Sequence, residues 1–233
     1  MRGCLFVLVV GAALLVGVVW FGGPPIASSV ITASLASSGF TAERLDVEVD
    51  ADPPLTLAVG RADRVRITAA NVRWNGLVAQ SMALDLGHVD LVGRTAATVD
   101  GTFGGVALAG PGGAPVPAAI DIHGPASAAE TSITVDGTAA ATAARTAVEA
   151  DFGIHPTGAE LLAPNVIRIL ALGQTIDGHL ELAPDGAIVA VGSFGTVRVI
   201  EPDPAIPIQL TGLSVADGRL VVTGIFDIAA LLR

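Results

Sequence analysis

The sequence predicts an α+β, β-dominated fold: a curved antiparallel sheet wrapping two amphipathic helices, preceded by one N-terminal transmembrane helix. Three observations carry this. A charge-free run, CLFVLVVGAALLVGVVWFG, extends from Cys4 to Gly22. Two later stretches with helical spacing each run into a glycine, Gly39 and Gly153. Most of what remains alternates apolar and polar residues with a period of two, as strands with one wet face do.

The elements follow in order. At ~1.5 Å per residue the Cys4–Gly22 run spans roughly 28 Å, close to the hydrocarbon thickness of a bilayer. A cleaved signal peptide is the rival reading. Signal cores are usually ~7–15 residues long and end at a small-x-small site. This run is longer, and Gly23-Pro24-Pro25-Ile26 follows it. Arg2 precedes the run and the next basic residue is Arg44. That asymmetry places the N-terminus in the cytoplasm and the rest of the chain outside. The expected organisation is an anchor over 1–23 and an extracytoplasmic β-rich domain over 24–233.

Pro25 suits the first turn of a second helix. Ile26, Val30 and Ala33 form one stripe of it, with Ala27, Ile31 and Leu35 beside them. Gly39 stops this helix, and Phe40 supplies the apolar contact that follows such a stop. Leu45, Val47 and Val49 then alternate with acids and Arg44, which predicts a strand. Leu55 to Val59 reads as another short strand after Asp52-Pro53-Pro54. Alternation continues through Arg64–Thr68, Val72–Trp74 and Met82–Leu86. It slips at Val89 and Leu91, which predicts a bulge or bend near Gly87. Thr98 to Leu108 is Gly-rich and still β.

Residues 109–129 read as a Gly/Pro-rich seam with a short strand at Ala119–Ile122 inside it. The seam would join two halves, 24–108 and 130–233, each a helix followed by strands. In the second half Ser132–Val135 is a strand and Thr138–Phe152 an Ala-rich helix. Strands follow at Ile167–Leu172, Thr175–Leu182, Ala187–Val191, Val197–Ile200, Ile206–Leu210, Leu213–Val215 and Leu220–Gly224. Asp217-Gly218 is a two-residue hairpin signal between the last two.

Composition removes several function classes. The chain has 233 residues, net charge −10 and no lysine, so it offers neither a nucleic-acid stripe nor a polybasic lipid-surface patch. Tyrosine is absent and aromatics are 4%, which argues against recognition by stacking. A single cysteine, Cys4, excludes an internal disulfide. The motifs of nucleophile elbows, zinc proteases and phosphate loops are missing. The sets His88/Asp90 and Asp177/His179/Glu181 have i, i+2 spacing that could hold a metal. Their alternation with Val, Leu and Gly reads instead as the wet face of strands. No catalytic residue, metal ligand or cofactor is expected, and no enzyme.

Beyond composition, Gly60-Arg61-Ala62-Asp63 leads into Arg64-Val65-Arg66-Ile67-Thr68. It is followed by Asn71-Val72-Arg73-Trp74-Asn75-Gly76-Leu77 and by Met82-Ala83-Leu84-Asp85-Leu86-Gly87-His88-Val89. Ala216-Asp217-Gly218-Arg219-Leu220-Val221 closes the pattern. These stretches resemble the LmeA-like phospholipid-binding family over roughly Ile26 to Gly224. The resemblance implies a curved sheet wrapping helices, similar to tubular lipid-binding domains, and a phospholipid ligand in the cell envelope. Acyl chains would enter an apolar seam between helix and sheet, at Ile26, Val30, Ile31, Leu35, Phe40, Leu84, Leu86, Val148 and Phe152. Arg61 would meet the headgroup, although Gly60 and Asp63 equally read as turn chemistry. The alternative is a structural or interaction module of the envelope with no small ligand.

Overall fold

The computed structural model describes residues 28–227, except 30, 34, 38, 75, 194 and 202–207. The expected anchor, Ile26 and Val30 lie outside these residues. Among the described residues, no helix is long and apolar enough to cross a membrane.

Among the described residues, thirteen antiparallel strands form two sheets. The strands are β1 (Arg44–Asp50), β2 (Arg61–Trp74), β3 (Leu77–Asp90), β4 (Thr98–Ala109), β5 (Pro115–Pro125), β6 (Ala129–Val135), β7 (Gly158–Leu162), β8 (Val166–Ala171), β9 (Gln174–Leu182), β10 (Ile188–Gly192), β11 (Gly195–Ile200), β12 (Ile208–Ala216) and β13 (Arg219–Phe226). The large sheet has the order β1-β2-β3-β4-β5-β6-β13-β12 and the small sheet β11-β10-β9-β8-β7. The expected single sheet is therefore two, and neither closes on itself. The helix Gly137–Phe152 leaves β6 and packs against β7 and β11, the two edges of the small sheet. A five-stranded sheet can touch one helix with both edges only if it curls around it.

The long helix forms as its sequence requires. The Asp136 side chain accepts a hydrogen bond from the Thr138 N–H at 2.9 Å, capping the start. Gly153 ends it at φ 65, where a residue with a Cβ is strained. Small Ala140, Ala143, Ala144 and Ala147 form the buried face, so strands approach the helix closely. Further back, residues 28–29, 31–33 and 35–37 are helical, and Gly39 stops that segment at φ 78. Phe40 follows it into the core, where its ring meets Trp74 edge-on at 5.9 Å.

Curvature of the large sheet has a local cause. Asn71 in β2 and Gly105 in β4 have positive φ, and Gly105 lies against Gln80 of β3. At that level all three strands change phase: Ala69 and Val72, Ala79 and Met82, Phe103 and Val106 are all buried at odd spacing. A second crease falls at His88, with φ 50, where Ala62 and Val89 pair on the buried side. The expected bend near Gly87 is thus present. Each crease re-aims side chains without ending the ladder.

Three segments differ from the sequence expectation. Pro54–Val59 is a 3-10 helix, not a strand. Pro54 presets helical φ at its first turn, and Gly60 ends it at φ 76. The seam is also not loop-like, because β5 runs for eleven residues through it. Its prolines hid it, yet β6 pairs only with Ala118–His123, so Pro115, Pro117 and Pro125 have β4 alone as a neighbour. Proline is tolerated there because no ladder bond needs its missing N–H. Strand β7 is an addition before β8, pairing Leu162 with Val166 across a short turn.

Two hairpin turns place their central residues at positive φ. Asp217 (φ 51) and Gly218 (φ 69) are the expected pair. Leu172 (φ 53) and Gly173 (φ 74) join β8 to β9, with Leu172 82% exposed. A left-handed leucine costs roughly 1–2 kcal/mol, and Asn tolerates that conformation. Leu172→Asn is expected to raise stability by about 1 kcal/mol, read as the urea midpoint. No gain would mean that the leucine side chain is held by contacts worth as much as the strain.

Candidate functional site

One apolar core runs through both sheets and the long helix. It is interrupted where the sheets meet, by a cleft of about 520 Å³. The large sheet contributes Leu108 of β4, Ile133 of β6, Val222 of β13, and Ile208 and Leu210 of β12. The small sheet contributes Leu182 of β9, Ile188 of β10 and Ile200 of β11, with the Ala183–Gly186 turn at the rim. Pairing sets this arrangement. Val222 of β13 lies opposite Ile133 of β6, and the Glu201 N–H bonds the Ala109 carbonyl at 2.8 Å, tying the small sheet to the end of β4.

Asp185 and Glu201 are the ionisable groups among the described lining residues. The Arg198 guanidinium bridges them, at 2.6 Å to Asp185 and 2.9 Å to Glu201. The Asp185 carboxylate also accepts the Ala187 N–H at 3.1 Å. That backbone bond, helped by Arg198, holds Asp185 below its ordinary carboxylate range. The pair Glu201 and Asp185 raises Arg198 in turn.

A family model described as LmeA-like phospholipid-binding matches residues 18–225. The chain belongs to the LmeA-like phospholipid-binding family. No curated protein and no solved structure matches it. In this LmeA-like chain, apolar side chains from both sheets meet around one opening, which suits the lipid-binding role of the family.

The residues selected from the sequence lie elsewhere. Phe40 is buried against Trp74, Leu35 is buried in the same core, and Ile31 packs against it partly buried. Leu84 and Leu86 are on the buried face of β3, with Leu84 lying over Gly101 of β4. Val148 is buried on the long helix, whereas Phe152 is 41% exposed near Gly195 at the helix end. None of the described ones lines the 520 Å³ cleft. Arg61 is exposed at the start of β2, opposite Asp90. Its neighbours are turn elements: Gly60 caps the 3-10 helix, and the Asp63 carboxylate accepts the Asp52 N–H at 2.6 Å.

A second opening of the LmeA-like chain, about 780 Å³, lies across strands β1 to β5 and is lined mostly by polar side chains. Asp50, Asp63, Asp85 and Asp100 line it with Arg64, His88 and His123. Arg64 pairs with Asp85 at 2.9 Å and His123 with Asp100 at 2.8 Å. Among the described residues, no group of three His, Cys, Asp or Glu could hold a metal ion.

Of the other sequence-selected polar set, Asp177 is held in a cross-strand network. Arg168 of β8 holds Asp177 of β9 with two bonds, 2.8 and 3.1 Å, and reaches Glu160 of β7 at 3.4 Å. Hydrogen bonding from Arg168 lowers Asp177 from its ordinary 3.8. A lowered carboxylate contributes stability that is present above its unfolded value and lost as pH falls through the folded one. Asp177→Asn is therefore expected to lose less stability than the parent between about pH 5 and pH 2. Urea midpoints measured across that window check it; parallel curves would remove this pair from the acid response.

Proposed function

We propose that this protein is a membrane-anchored, extracytoplasmic phospholipid-binding protein that holds one acyl chain in the cleft between its two sheets. The observation that carries this is the apolar cleft itself, formed by side chains of both sheets around one opening. Its size bears on how much lipid enters. An opening of about 520 Å³ is within the range of small-ligand pockets and suits a partly inserted acyl chain. Each buried methylene contributes about 0.8 kcal/mol, so a partly inserted chain is enough for retention. The second chain and headgroup stay outside or against the rim. The charge-free Cys4–Gly22 run supports the anchor, and the Arg2/Arg44 asymmetry supports the side of the membrane. A tethered domain with a single-chain slot suits a carrier or an accessory to envelope lipid and lipoglycan maturation.

The test is native mass spectrometry of the full chain, released from detergent after expression with membranes. Added mass matching phospholipid is the expected result. A ligand-free spectrum, under conditions where a control lipid carrier keeps its cargo, would overturn the reading and favour an interaction module instead.

A further inference from the structure

We infer that the cleft selects phospholipids whose head carries a protonated amine and no net charge over anionic ones. This rests on the lipid reading above and concerns the same opening. The argument is one of charge at the rim. Asp185 and Glu201 line the cleft, whereas Arg198, which pairs with both, is outside its lining. Its two terminal nitrogens are engaged, one by each carboxylate. The trio therefore carries one net negative charge, and the cation that a phosphate would seek is already taken. Each carboxylate keeps oxygen lone pairs free toward solvent, since both side chains are nearly half exposed.

An anionic head brought to this rim meets like charge and must compete with two carboxylates for Arg198. The whole chain, at net −10, adds repulsion in the same direction. An ethanolamine head meets the rim differently. Its ammonium donates to Asp185 or Glu201, and because that ammonium balances its own phosphate the head adds no net charge to the complex. Neutral, apolar walls below the rim treat the acyl chains of both lipids alike, so the discrimination belongs to the head.

The experiment offers the full chain vesicles of phosphatidylethanolamine and phosphatidylglycerol in equal amounts with identical acyl chains, and measures the bound ratio by native mass spectrometry. The expected ratio favours phosphatidylethanolamine by about threefold to tenfold at low salt and shrinks toward one as salt screens the rim. Asp185→Asn together with Glu201→Gln leaves Arg198 without its carboxylates, and the preference is expected to reverse. The amide of the Asp185→Asn change retains an oxygen for the Ala187 N–H, which favours folding of this variant; if it fails to fold, Glu201→Gln alone and the salt series decide. Equal or greater binding of phosphatidylglycerol by the parent protein, or a ratio indifferent to salt and to the variants, would overturn the inference and leave the lipid reading standing. Retention of neither lipid would overturn the lipid reading itself.

Discussion

Gly137→Ala is expected to cost about 3 kcal/mol, the upper part of the range for inserting a group where no space exists. Gly137 is the first residue of the long helix, and a Cβ built on it would overlap the carbonyl oxygen of Gly218. Gly218 sits in the β12–β13 turn. Backbone meets backbone there, so no side chain can rotate aside. Either the helix start or the hairpin turn must move. The helix start is fixed by the Asp136 cap, and the turn by antiparallel pairing of Val215 with Leu220. For a domain of this length, about 3 kcal/mol lowers the unfolding midpoint by roughly 6–12 °C. Gly153→Ala is the control. Gly153 has a left-handed φ of 65 and nothing within 4 Å of a built Cβ. It should lose only the backbone strain, about 1 kcal/mol. Equal losses at the two sites, by circular dichroism melts, would show that the helix–turn contact does not constrain the fold.

Leu210→Asp should empty the lipid cleft while leaving the protein folded. Leu210 lines the cleft from β12 and is half-buried, so a carboxylate there can reach water when no lipid is present. A lipid chain sliding in must cover that carboxylate, at an effective cost of several kcal/mol. Each ~1.4 kcal/mol is tenfold in affinity, so occupancy should fall by at least about tenfold. Leu170→Asp, on an exposed position of β8 outside the cleft lining, should leave bound lipid unchanged. The comparison is phosphorus content per mole of purified protein. A folded Leu210→Asp protein with parental lipid content would move the binding site elsewhere.

How much of this was legible in the chain depends on the range of the interaction concerned. Alternation in Leu45–Val49 and Met82–Leu86 and the slip at Val89 are local, and the strands and the bend follow them. The same holds for Asp217-Gly218 and for the Gly153 stop. Leu55, Leu57 and Val59 alternate like a strand, but Pro53 and Pro54 set the local backbone and a 3-10 helix results. Proline also concealed β5, because whether a missing N–H matters depends on how far the neighbouring strand extends. The cleft was the least legible part. Val222 and Ile133 face each other only because β13 pairs with β6, and nothing near either residue announces a partner so distant in sequence. Sequence reading therefore points to apolar residues of the two helices and of β3, where amphipathic patterns are strongest. One local signal did exist: the acidic turn Pro184-Asp185-Gly186 between two apolar strands.

The pairing of β6 with β13 has a consequence for how the chain reaches its final shape. Val135 and Leu220 are paired neighbours across two strands, yet the whole small sheet and the long helix are threaded between them. During synthesis the first six strands emerge as a sheet whose β6 edge lacks its partner on one side. That edge must wait for the helix, five more strands and the last hairpin. Closing so long a loop before any reward is gained is slow, and an unpaired edge is a ready template for another chain. The nascent protein thus passes through an interval in which its own later segment competes with neighbouring molecules for one strand, and the arrival of β13 ends that competition.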